Sequence, residues 1–279
     1  MIWQVRDKTI SLGAKTLVMG ILNITPDSFS DAGKYYGEDE AVERGKQMLA
    51  DGADMLDIGG ESSRPGSAPV SEAEELRRVI PVIDRLMDET GAVISVDTTK
   101  SRVAEEALKA GASIINDISA LRYDANMAGV AGRMGAGLVL MHMKGTPADM
   151  QRDPVYGDLM AEVVEFLSER GKAAMQAGLR AESIVYDPGI GFGKTVAHNL
   201  QLINRLGDLR DILGRPMLSG PSRKSFIGAV LDLPVEERLE GTAAAVALSI
   251  MRGASIVRVH DVREMARVAK MTDAIRGAV

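Results

Sequence analysis

Short apolar runs and longer amphipathic stretches alternate along this chain, and the alternation repeats. A short apolar run bounded by polar or Gly-containing residues suits a buried strand, and apolar positions spaced three and four apart suit a helix with one buried face. Residues 17–23 predict a strand and 38–50 a helix. The pair recurs at 55–58 with 71–89, 93–96 with 101–110, 113–118 with 126–134, and 138–141 with 155–177. It recurs again at 184–186 with 199–206, 216–218 with 237–251, and 255–259 with 262–276. Ahead of these units, residues 2–12 alternate loosely around a polar turn at Arg6, Asp7 and Lys8. That pattern predicts a small hairpin plugging one end of the fold.

Four of the predicted helices end alike, with Gly52, Gly111, Gly178 or Gly253 followed closely by the next apolar run. Gly just past a helix accepts the left-handed backbone that ends it. Strand–helix alternation with links this short predicts parallel strands and right-handed crossovers. Eight such units predict an α/β protein, a closed (β/α)8 TIM barrel with an N-terminal β-hairpin. An open doubly wound sheet is the alternative. No low-complexity segment or Pro/Ser linker divides the chain, so 1–279 reads as a single domain.

Composition narrows the class. The 46% apolar content suffices for a sizeable core, and 279 residues suit a barrel, for which about 250 is typical. A net charge of −6 argues against a nucleic-acid surface. The absence of Cys removes disulfides, a thiolate nucleophile and Cys-metal sites, and a reducing cytoplasm is the expected compartment. The first residues, MIWQVRDK, hold no signal-peptide apolar region, and the longest apolar stretch, 243–251, is too short to span a bilayer. The 16 Met residues read as core filler.

In a barrel, chemistry gathers at the C-terminal ends of the strands. The predicted ends carry Asn23, Asp57, Asp97, Asn116 with Asp117, His142, Asp187, Ser219 and His260. Polar groups converging in one mouth must be solvated or met by a ligand, so the pattern favours an active site. The sixth strand leads into DPGIGFGKT, 187–195. Its glycines allow a tight turn and close approach of backbone to a ligand. It is not a nucleotide loop: a Walker A motif needs Gly where Pro188 stands, and G-x-G-x-x-G needs Gly where Lys194 stands. The plain alternative for Asp187 is a turn residue bonding its own loop.

Asp97, Asn116 and Asp187 together suit a heterocycle with a donor–donor edge, such as an amino-pyrimidinone; separate helix caps are the alternative. The loop 23–31 is either a capped turn or a cover that uses Phe29. The loop 59–66, with Ser63, Arg64 and Pro65, is either plainly flexible or anion-responsive. Arg223 and Lys224 after the seventh strand, and Arg258 and His260 at the eighth, lie where barrels often bind phosphate. A metal site on His142 and His260 is a weak rival, since no H-E-x-x-H motif occurs. The small-residue segment 241–245 predicts close helix packing, against the barrel or a second subunit.

Eight ordered blocks, GILNITPDSFSD, DIGGESSRPG, VDTTK, INDISA, MHMKGTP, DPGIGFGK, SRKSFIG and RVHD, resemble the dihydropteroate synthases, pterin-binding enzymes of the folate pathway. The resemblance runs from Gly20 to Asp261. It implies condensation of 7,8-dihydropterin-6-ylmethyl diphosphate with p-aminobenzoate, giving 7,8-dihydropteroate and diphosphate, with Mg²⁺ as cofactor. By the same resemblance Asp97, Asn116, Met141, Asp187, Phe192 and Lys224 bind the pterin. Asn23, Ser63, Arg258 and His260 hold the diphosphate, with Asn23 also a Mg²⁺ ligand. Phe29, Ser63, Arg64, Pro65, Lys224 and Ser225 frame p-aminobenzoate, and Asp31 belongs to a closing loop. Asp97, Asp187, Lys224 and Arg64 carry the catalytic roles, with both acids ionised to stabilise a pterin-methyl cation. Ser63 departs from the family's usual Thr but keeps the hydroxyl. The small-residue helix at 241–251 points to a homodimer. Two rivals are a pterin-barrel methyltransferase, which would lack the SRK and RVH cations, and a silent pterin-binding partner, which would have lost Arg64, Lys224 or Arg258; all are present.

Overall fold

Strand β3 (Leu17–Asn23) opens the repeat that builds the molecule. The computed structural model describes residues 1–24, 36–62 and 66–278. After β3 come α1 (Tyr36–Ala50), β4 (Met55–Gly59), α2 (Glu72–Thr90), β5 (Val93–Asp97), α3 (Ser101–Lys109), β6 (Ile114–Asp117), α4 (Met127–Met134) and β7 (Gly137–Met141). The second half holds α5 (Leu159–Gln176), β8 (Ile184–Asp187), α6 (Val196–Asn204), α7 (Leu206–Leu213), β9 (Leu218–Ser219), α8 (Ser225–Leu231), α9 (Leu239–Met251), β10 (Ile256–Val259) and α10 (Val262–Gly277).

The eight strands of the repeat run parallel in the order β8-β7-β6-β5-β4-β3-β10-β9. The sheet closes where Tyr186 of β8 bridges Met217, next to β9, and the Tyr186 amide donates to Pro216 O at 3.0 Å. Closure makes this a TIM barrel and removes the open-sheet alternative. The four glycines expected past helix ends all have positive φ, from 97° at Gly253 to 111° at Gly111.

Two layers of core follow from the strand period of two. Outward residues such as Leu56, Ile58, Ile94 and Val96 pack under the helices. Inward residues Leu17, Met19, Met55, Ile114, Val139, Val185, Leu218 and Ile256 fill the lower barrel. The hairpin β1 (Ile2–Val5) and β2 (Lys8–Ser11) closes that end, as expected. It buries Trp3 and Val5 fully against the inner layer. Trp3 Nε1 donates to Ser183 O at 2.9 Å, and the Arg6 guanidinium donates to Leu108 O and Ala112 O at 2.8 and 3.1 Å.

Several boundaries move for local reasons. The helix expected from 155 begins at Leu159, because Asp158 caps it by accepting from the Met160 and Ala161 amides. The single helix expected at 199–206 is two, α6 and α7, with a break at Arg205. Residues 225–231, to which the pattern assigns no element, form α8, with Phe226 and Ile227 buried.

Gly137 begins β7 against the hairpin, and a Cβ there would lie 2.5 Å from Val5 Cγ1 and 3.1 Å from Trp3 Nε1. Gly137→Ala is expected to lose about 1–3 kcal/mol through overpacking. A urea titration checks this, and an unchanged midpoint would mean that the hairpin is not seated as described.

Candidate active site

Inward positions change character along each strand. The lower residue is apolar and the one two positions on is polar: Met55 then Asp57, Ile114 then Asn116, Val185 then Asp187, Ile256 then Arg258. The polar members meet at the C-terminal end of the barrel. Arg258 Nε donates to Asp57 Oδ2 at 2.5 Å, and Arg258 Nη2 donates to Asp97 Oδ2 at 2.7 Å. Asn116 Nδ2 donates to the same Asp57 oxygen at 2.9 Å. Asp97 is therefore not a helix cap; the α3 N-cap is Lys100.

A second group forms across the mouth. Asp187 Oδ1 accepts from the Gly189 amide at 2.7 Å, so the turn-residue reading of Asp187 holds for one of its oxygens. Lys224 Nζ donates to Ile190 O and sits 4.4 Å from the Phe192 ring centroid. Phe192 packs with Met141, Met143 and Met150 in a small apolar cluster that forms one wall. The glycines of this loop are required by backbone contact. At Gly189, with φ of 69°, a Cβ would lie 1.9 Å from His142 O.

Burial governs the electrostatics. Burial pushes the Asp97 carboxyl up to about 7, against the pull of Arg258 and with help from Asp57. Asp187 is also pushed up by burial, against Lys224. Burial lowers Lys224 to about 8, with Asp187 opposing. The burial that lowers Arg258 is outweighed by Asp57 and Asp97, and its pKa rises. Burial thus works against ionisation of both acids, and the nearby cations Arg258 and Lys224 work for it. Arg258, expected to face an anion, is also bonded directly to Asp97.

Of the residues predicted for the site, Asp97, Asn116, Met141, Asp187, Phe192, Lys224 and Arg258 come together here. Asn23 ends β3 at the same rim, half-buried, and Ser225 is exposed beside Lys224 at the start of α8. His260 follows β10, with Nδ1 3.0 Å from Ser222 Oγ. Phe29, Asp31, Ser63, Arg64 and Pro65 lie outside the described residues. Two strand-end groups are structural. Asp117 accepts from the Ser119 and Leu121 amides, and Ser219 bonds Ser249 of α9 at 3.0 Å. His142 is not a ligand-ready imidazole, because Lys194 Nζ lies 2.9 Å from its Nδ1. Burial, with Lys194, lowers His142 to about 2. Arg223, expected to offer its fork to phosphate, spends it on Asp261.

Sequence reasoning assigned no role to Asp57, although an acid inside the buried run MLDIG is costly unless paired and was itself the signal. Lys194 was also missed; it is buried and donates to Phe192 O at 2.9 Å, tying down the loop under Lys224.

A closed (β/α)8 barrel that gathers buried acids, a carboxamide and two cations at its strand C-termini falls among barrel enzymes that bind a polar heterocycle at that end. Residues 19–260 match the family described as pterin binding enzyme. The dihydropteroate synthase of Bacillus subtilis (strain 168) is 53% identical over 270 residues, covering 97% of this chain and 92% of that one. The Xanthomonas albilineans dihydropteroate synthase, solved with 4-aminobenzoic acid, superposes with a TM-score of 0.92 at 42% identity, over 100% of each chain. The same protein in complex with 7,8-dihydropteroate gives 0.90 at 40% identity, again over 100% of each chain. The chain belongs to the pterin binding enzymes and, among them, to the dihydropteroate synthases.

The kcat/KM is expected to rise with pH as Asp97 ionises near 7 and to fall as Lys224 deprotonates near 8, giving a narrow bell. Asp57→Asn removes a negative charge that raises Asp97, so the acid limb should move to lower pH while kcat/KM falls about 100-fold from the misplaced Arg258. Steady-state rates across pH 5–10 check both, and an acid limb that stays put would separate Asp57 from Asp97.

Proposed function

We propose that this chain, as one unit over 1–279, condenses 7,8-dihydropterin-6-ylmethyl diphosphate with p-aminobenzoate, giving 7,8-dihydropteroate and diphosphate for folate synthesis. The observation that carries the reading is Arg258 held between Asp57 and Asp97, with Asn116 on the same carboxylate. The amine edge of an amino-pyrimidinone needs acceptors, and Asp187 and Asn116 supply carboxylate and carboxamide oxygens to it. Lys224 donates to the ring's carbonyl, and Phe192 and Met141 flank its faces. The Xanthomonas albilineans complexes support both substrate classes.

The reaction breaks the C–O bond between the pterin methylene and the diphosphate, and the electron pair leaves with the diphosphate. Arg258 and His260 offset the charge gathering on that group. The methylene left behind is cationic, and the carboxylate forms of Asp97 and Asp187 stabilise it. The arylamine lone pair then closes the C–N bond, and the anilinium proton is released. Exclusion of water from the methylene keeps the cation from being captured before the arylamine attacks. Ser63 and Arg64 bind the substrates as they meet, and Ser225 lies beside the arylamine.

Mg²⁺ fits this donor set. Mg²⁺ takes few protein oxygens and fills its shell with phosphate oxygens and water. Among the described residues no cluster of three His, Asp or Glu could hold a metal, whereas the Asn23 carboxamide at the rim offers one hard oxygen. Asn23 would hold the ion, which would supply charge neutralisation to the diphosphate. We place the protein in the cytoplasm; among the described residues no helix is long and apolar enough to cross a membrane. Homodimerisation is supported by an apolar groove of about 340 Å³ between α6, α8 and α9, with Leu200, Val230, Leu231 and Leu248 exposed. Sedimentation equilibrium should give twice the 29.8 kDa chain mass.

Purified protein supplied with the pterin diphosphate, p-aminobenzoate and Mg²⁺ should release pyrophosphate in step with 7,8-dihydropteroate. Release without the arylamine would indicate hydrolysis, and no release at all would sink the reading.

A further inference from the structure

The turn between β9 and α8 carries two residues of the site, Lys224 on the pterin side and Ser222, whose hydroxyl meets His260, on the diphosphate side. Between them Arg223 adopts φ of 57°, a left-handed conformation that a long L side chain rarely takes. Both backbone polar groups of Arg223 and two of its three guanidinium nitrogens are engaged. Its amide donates to Thr242 Oγ1 at 3.0 Å, and its carbonyl accepts from Arg238 Nη1 at 3.0 Å. Its guanidinium grips Asp261 with two bonds, Nε to Oδ2 at 2.8 Å and Nη2 to Oδ1.

Asp261 is the residue after His260 and holds the N-cap position of α10, yet its side chain makes no cap hydrogen bond. A carboxylate at that position ordinarily caps the helix. Here it is spent on Arg223 instead. The Arg223 side chain is 40% exposed and the Asp261 side chain 15%, and a partly exposed bidentate pair of this kind adds a modest amount to stability. Beyond that contribution the bond acts as a ruler, because it ties the residue before Lys224 to the residue after His260.

We propose that Arg223 and Asp261 are positioning residues for the reaction, a clamp that fixes the separation between Lys224 and His260. The proposal rests on the roles given above to those two residues. The clamp matters most when charge moves from the pterin methylene to the departing diphosphate, since both ends of that transfer must be met at once. Its loss should therefore lower kcat more than it weakens substrate binding.

The test compares wild type with Arg223→Gly, Asp261→Asn and the double variant, reading kcat, KM for both substrates and thermal midpoint. Gly accepts the positive φ without strain, so Arg223→Gly isolates the side chain. Asp261→Asn is nearly isosteric and guards against a folding defect in the first variant. Each single variant should lose about 10–100-fold in kcat from misplacement of the reacting groups, with KM within about threefold. The double variant should be no slower than the slower single one, because both remove one bond. Arg223→Lys, which can still reach Asp261 with one charge, should recover part of the loss. Unchanged kcat in the single variants, multiplicative losses in the double, or a kcat loss that tracks a fallen midpoint would each overturn the clamp. A wild-type protein that releases no pyrophosphate would instead count against the reaction assignment.

Discussion

A carboxylate inside a barrel needs a cation, and the upper half of this molecule is arranged around that requirement. Asp57 is fully buried in the middle of β4, and its only charged partner among the described residues is Arg258. Removing one member of such a buried pair typically costs about 3–5 kcal/mol, because the other is left unpaired. Arg258 must therefore stay inside the barrel, and once there it also meets Asp97. One guanidinium fixes two acids, and the first of those acids fixes Asn116. The groups proposed to read the heterocycle and the one proposed to meet the diphosphate are thus positioned by the same ionic contact.

The opposite wall is built on backbone. The loop after β8 packs its glycines onto the carbonyls of residues 142 and 144, where a Cβ at Gly189 or Gly193 would come within 1.9 or 2.2 Å of an oxygen. Lys194 completes this wall from below by binding the carbonyls of His142 and Phe192. Phe192 and Lys224 are then held in contact without long side chains having to find each other. The barrel mouth is held on one side by charge and on the other by contact between chain segments.

The sequence made the barrel legible because its signals are local: strand runs, Gly past helix ends, and a polar residue where each inward face reaches the mouth. Asp97, Asn116 and Asp187 could be found from those ends. Asp57 could be seen as costly but not paired, since its partner Arg258 is 201 residues away. Arg223 read as a phosphate fork because its neighbours are basic and the strand-seven position suits anions; its partner emerged only when β10 lay beside β9. Lys194 gave no signal, because a lysine in a polar loop ordinarily reaches solvent. The α6–α7 break and α8 were missed for the same reason, as tertiary packing rather than periodicity decides such short helices.

Trp3 is the chain's single tryptophan, and it lies at the far end from the chemistry. Its indole is fully buried and bonded to Ser183, 180 residues along the chain. That contact exists only once the first strand and the sixth barrel unit have been brought together. The intrinsic indole fluorescence of this protein is consequently an optical gauge of barrel completion, silent toward events at the catalytic rim. Refolding followed by that emission would time the closing of the cylinder itself, a late step for a topology dominated by distant pairings.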